Sequence, residues 1–122
     1  MTKSHCELCE IKKLYNEFIH TLDIDKFKTN TGAYASVYVR RDDDFIIVSS
    51  SLKNTDDTST SGTLLDRDSE PYKKLILGRK YVGDALLFGK KYTSKYSPLI
   101  TEGDKVVVAV FVGTVKVYDT VK

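Results

Sequence analysis

The sequence holds little of what most catalytic chemistry requires. Only two of its 122 residues are histidine, His5 and His20, and only two are cysteine, Cys6 and Cys9. A Ser-His-Asp set would have to take its base from the N-terminal segment that carries both histidines. Ser49-Ser50-Ser51 closes a β-rich stretch without the G-x-S-x-G elbow of an exposed nucleophile. No glycine-rich loop leads into Lys-Ser or Lys-Thr to cradle a phosphate. Asp42-Asp43-Asp44 lacks the spaced oxygens of a calcium loop and suits a polar hairpin turn. There is no apolar run of about 18 residues to span a membrane, and "MTKSHCELCE" has no apolar core of an export signal. Net charge is only +2, and basic pairs such as Arg40-Arg41 and Lys73-Lys74 stand near acidic runs, so no basic face for nucleic acid emerges. An enzyme therefore has no anchor here. Taken as complete, the chain is expected in the cytoplasm; taken as a crop of a membrane receptor, its place is extracytoplasmic.

What is present suffices for one domain with a sizeable core: 41% hydrophobic and 30% charged residues over 122 positions. Leu8, Ile11, Tyr15, Phe18 and Leu22 recur at alternating threes and fours, with Leu14 and Ile19 widening the stripe, which predicts an amphipathic helix over about residues 5–22. Such a stripe either docks on the chain's own sheet or pairs with a copy of itself, and the second option predicts a homodimer through this helix. Residues 23–31 form a polar connection, so residues 1–31 constitute an N-terminal helix and linker and 32–122 the core.

"AYASVYVRR" and "DFIIVSSSL" predict a hairpin turned at "RDDD". "KNTDDTSTSG" has almost nothing to bury and predicts an exposed, mobile loop. Ser69 ahead of Glu70-Pro71 starts a short helix that stops at Gly78. Strands follow over Tyr81–Phe88 and Lys91–Leu99 around a "GKK" turn, then "KVVVAVFVGTVKVY" after Glu102–Asp104. The result is α+β: a five-stranded antiparallel sheet with a helix on one face.

Cys6 and Cys9 make a C-x-x-C motif. Glu10 rather than histidine follows, so the motif lacks the histidine of a c-type haem site. Two thiolates supply half of a tetrahedral zinc site, which His5, His20 or a second chain could complete. The alternatives are a redox pair, which would make the protein a metal- or redox-responsive regulator, or two ordinary reduced thiols. In "KKYTSKYSP", strand alternation puts Tyr92, Ser94 and Tyr96 on one face and Lys91, Thr93 and Lys95 on the other. Tyr81, Gly83 and Ala85 share a face of the preceding strand. Small residues beside tyrosines can leave room for a ligand held by phenolic hydroxyls; equally, the tyrosines can straddle core and water.

These segments carry a resemblance. "DDFIIVSSSLKN", "GTLLDRDSEPYKKLILGRKYVGDALLFGKKYTSKYSPLI" and "KVVVAVFVG" are similar to Cache sensor domains, nearest the Cache 3/Cache 2 type of bacterial chemoreceptors and sensor kinases. Phe45, Val48, Ser49, Ser51, Leu52 and Lys53 fit its first motif. Gly62-Thr63, Pro71, Tyr72, Gly78, Tyr81 and Gly83 fit the next; Phe88, Gly89, Lys90, Tyr92, Tyr96 and Pro98 follow, then Phe111-Val112-Gly113. The resemblance implies a PAS-like fold and no catalysis; no cofactor is expected apart from the zinc option at Cys6 and Cys9. It implies a small organic ligand, short carboxylates among them, on the sheet face opposite the helix, and a downstream signalling partner. The expected ligand residues are Tyr81, Tyr92, Ser94 and Tyr96, with Arg67, Lys73 or Lys91 offsetting an anionic group. Family members carry flanking membrane helices, which this sequence does not include, and the C-x-x-C is foreign to the pattern.

Overall fold

A computed structural model describes residues 7–116. In chain order the elements are α1 (Glu7–Thr21), α2 (Ile24–Thr31), β1 (Tyr34–Arg41), β2 (Asp44–Ser50), α3 (Glu70–Leu75), β3 (Tyr81–Leu87), β4 (Lys90–Glu102) and β5 (Lys105–Val115). The strands form one antiparallel sheet in the order β2-β1-β5-β4-β3. Two helices cover one face and α3 with its preceding segment covers the other, the α+β, PAS-like arrangement expected above.

The α1 stripe docks on the chain's own sheet. Ile11, Tyr15 and Phe18 are buried with Ala35, Val110 and Val112 of β1 and β5. The Leu8 side chain lies outside the described residues, and Leu22, past the helix end, is exposed. The three-and-four spacing is thus accounted for within a single chain.

Residues 23–31 are not the connection expected but a second helix. Asp23 caps α2 by accepting the Lys26 N–H at 3.0 Å. Gly32 ends it in the left-handed region with its N–H on the Lys28 carbonyl. Ile24 and Phe27, three apart, are buried, and the Phe27 ring lies 5.1 Å from that of Phe18. A polar composition hid a helix whose two apolar residues suffice because α1 and β1 supply the rest of its contacts.

The loop between β2 and α3 is exposed, but its own side chains tie it down. Lys53 bridges Ser59, the Asn54 amide donates to Thr58 Oγ1 and the Ser59 carbonyl, and Thr58 donates to Asp56. Beyond it, residues 62–65 run beside β2: Gly62 and Leu65 N–H donate to Ile47 and Phe45, and Ile47 N–H donates to Thr63. That pairing covers an edge strand that would otherwise be open. The β3–β4 hairpin turns through Phe88 and Gly89, one residue earlier than "GKK" suggests. Both have positive φ, 50° and 82°, the handedness a two-residue hairpin needs.

Candidate ligand-binding site

The face opposite α1 is built in rows across β3, β4 and β5. Tyr81, Tyr96 and Phe111 stand in register, and beside them Gly83, Ser94 and Gly113. The small row makes room for neighbouring rings rather than for a ligand. A Cβ on Gly83 would lie 2.8 Å from Tyr81 Oη, and one on Gly113 2.5 Å from Phe111 Cζ. Tyr81 folds back across Gly83 and donates its hydroxyl to the Asp84 carbonyl at 2.5 Å. Buried Ser94 donates to the Gly83 carbonyl at 2.8 Å.

The open space begins beyond these rings. A cavity of about 380 Å³ lies between the sheet and the covering segment. Tyr38, Tyr96 and Ala85 line it from the sheet, with Ile47, Leu87 and Phe88 around them. Thr63–Asp66 and the start of α3, Ser69–Pro71, line it from the covering side. Ser69 caps α3, accepting the Tyr72 N–H and donating to the Asp66 carbonyl. Tyr72 hydrogen-bonds the Asp43 carbonyl and Leu75 is fully buried, which seats the cover on the core.

One group in this cavity is out of balance. The Tyr96 side chain is fully buried, yet its hydroxyl has no hydrogen-bond partner among the described residues. The ring is packed on Phe111 at 5.0 Å and faces Tyr38 at 6.2 Å; the Tyr38 hydroxyl is near enough to perturb that of Tyr96, but the pair falls outside good hydrogen-bonding distance and angle. A buried, unpaired hydroxyl costs about 1–3 kcal/mol and is rare in folded proteins. Burial pushes the Tyr96 phenol well above its ordinary pKa, and the charge and hydroxyl of Tyr38 add to this. Burial also pushes Tyr38 up, partly offset by interaction with the Tyr96 hydroxyl. Both remain neutral donors.

The expected cations stand elsewhere. Arg67 forks onto Asp44, Nε to Oδ1 at 2.8 Å and Nη2 to Oδ2 at 3.0 Å. Those hydrogen bonds hold the Asp44 carboxyl below the usual range. Lys73 sits 3.6 Å from Glu70 on the exposed side of α3, and alternation carries Lys91 to the opposite face from Tyr92. Carboxylates line the cavity instead: Asp66, Glu70 and Asp84, the last paired with Lys116 at 2.9 Å. Tyr92 borders a separate hollow of about 360 Å³ with Tyr34, Lys53 and Lys90, which meets the first at Phe88. Of the expected residues, Tyr81 and Tyr96 share the main cavity. Tyr38, Ala85 and Phe88 join them there; the signals for two of these were alternation with Tyr34 along β1 and with Tyr81 along β3. Cys9 lies exposed in the first turn of α1, and Cys6 lies outside the described residues, as therefore does the C-x-x-C as a pair. Among the described residues no three His, Cys, Asp or Glu side chains gather to hold a metal.

Across residues 14–121 the sequence matches the Cache 3/Cache 2 fusion domain. The chain belongs to this family. No curated protein and no solved structure matches it significantly. Cache domains are sensory, non-catalytic, ligand-binding modules of signal transduction. Among the described residues of this Cache domain, no helix is long and apolar enough to cross a membrane.

Proposed function

We propose that this Cache domain binds a small organic molecule in the cavity beneath α3 and passes its occupancy to a signalling partner, without catalysis. The observation that carries the reading is the Tyr96 hydroxyl, buried and unpaired at the wall of an apolar cavity of about 380 Å³. That oxygen is itself sealed off, so a ligand oxygen would reach it only as the surrounding side chains shift, and would then remove a cost of about 1–3 kcal/mol while burying its own apolar body. Tyr96 and Tyr38 would hold the polar end, and Tyr81 would form the wall. Ser94 and Gly83 support the Tyr81 ring from behind, and Tyr92 stands outside this cavity. Arg67 acts through the cover, fastening it to the start of β2.

The ligand's differential affinity would favour the state in which residues 63–75 close on the sheet. Family membership supports a setting outside the cytoplasm, in a chemoreceptor or sensor kinase. Short carboxylates are the ligand class the resemblance suggests, and they belong in the first screen beside uncharged molecules of the same size.

The test is calorimetry of the full chain against such a panel. A ligand at about a hundred times its dissociation constant should add about 2.7 kcal/mol of stability. Ala85→Phe, which fills the cavity from the sheet side, should abolish that gain while leaving a folded protein. Stabilisation that survives Ala85→Phe would place the ligand elsewhere.

A further inference from the structure

We infer that the cavity selects uncharged ligands: an apolar body carrying one neutral hydrogen-bonding group at Tyr96, with a carboxylic acid admitted only in its protonated form. This deepens the ligand-binding reading and rests on it. The first ground is what lines the space. Among the described residues no lysine, arginine or histidine does. Three cations on or beside the lining elements are engaged, Arg67 by Asp44, Lys73 by Glu70 and Lys116 by Asp84.

The second ground is how polarity is distributed. The sheet side offers three phenols, Tyr38 and Tyr96 fully buried and Tyr81 partly so, and its one charge is the exposed Asp84 carboxylate. β2 contributes Ile47, and the β3–β4 turn contributes Phe88, neither of them charged. The charged groups facing the space are Asp66 before α3, Glu70 on α3 and Asp84 on β3, all exposed and all acidic. Glu70 and Asp84 are balanced by Lys73 and Lys116, so an anion meets no net attraction at the mouth and finds no opposite charge among the lining residues. Neutral phenols can hydrogen-bond a carboxylate but cannot neutralise it. A buried, unpaired ion takes up its proton instead. A hydroxyl or amide of the same shape meets no such penalty, and Tyr96 can serve it as donor or acceptor.

The experiment is titration calorimetry of the full chain with straight-chain alcohols, amides and carboxylates of four to eight carbons at pH 6, 7 and 8. The expected result is that, at the chain lengths that bind, the alcohol or amide binds at least about tenfold tighter than the carboxylate at pH 7. The carboxylate's Kd should rise about tenfold per pH unit, following its protonated fraction, while the alcohol's stays flat. Tyr96→Phe, which removes only an unpaired hydroxyl, should weaken the alcohol and amide about tenfold. A carboxylate that binds as tightly as its alcohol, with no pH dependence, overturns charge selection and leaves the cavity a ligand site. If no member of any series binds, the ligand-binding reading falls and this inference falls with it.

Discussion

At Tyr96 the usual logic of a buried tyrosine is inverted. Removing a buried hydroxyl normally strands its partner; here there is no partner among the described residues to strand. Tyr96→Phe should therefore leave the unliganded protein as stable or raise its stability by up to about 1–3 kcal/mol, the cost of an unpaired buried hydroxyl. Scanning calorimetry of the two proteins checks this, and a clear drop in melting temperature would mean that the hydroxyl is bonded after all. Asp44 obeys a different rule. Its carboxyl is held low by the Arg67 fork, so the stability it contributes is present above the unfolded value of about 3.9 and disappears as pH falls through its lower folded value. Arg67→Gln should lower stability at neutral pH by an amount that shrinks towards zero under acid. Urea unfolding from pH 2 to 7 reads the difference, and a gap that stays constant with pH would exclude the pair as its source.

Elements were legible wherever their own residues determined them. The strands announced themselves through β-branched and aromatic alternation, and α3 through Ser69 and Pro71, because both signals are local. The second helix was not legible by composition, since six of its eight residues are polar or charged and its burial depends on α1 and β1. Its Asp23 cap and Gly32 stop were the readable traces. The same contrast applies to the cover. Ser69→Ala should cost about 0.5–2 kcal/mol through the lost cap. Because the Ser69 hydroxyl also holds the Asp66 carbonyl at 2.6 Å, the loosening should extend towards residues 63–66. Hydrogen exchange should quicken across 66–75 while α1 amides keep their protection; uniform quickening through both layers would show that α3 does not open separately from the sheet.

At the scale of the molecule, one sheet serves two cores. Phe18, Phe27 and Val110 pack on the helix side, and Tyr38, Tyr96 and Phe111 on the cavity side, with β1, β4 and β5 contributing to both. The sequence displayed the tyrosine-bearing face through alternation but not the cavity, whose place depends on where residues 63–71 cross the strands. Nor did it display the charges, since Arg67 finds its partner 23 positions upstream. Sharing strands predicts that damage on one side is felt on the other. Phe18 is fully buried within one chain, so Phe18→Ala should cost about 3–5 kcal/mol, a large fraction of the 5–15 typical of a domain. The loss should appear as one transition. The chain has no tryptophan, and its tyrosines cluster on the cavity side, so near-ultraviolet dichroism reports that side while far-ultraviolet dichroism reports the helices. The two signals should melt together, and Phe18→Asp, which buries an unpaired charge, should not fold. Separate melting would mean independent layers. A well-folded Phe18→Asp that sediments as a monomer, beside a dimeric parent, would return the α1 stripe to a subunit interface.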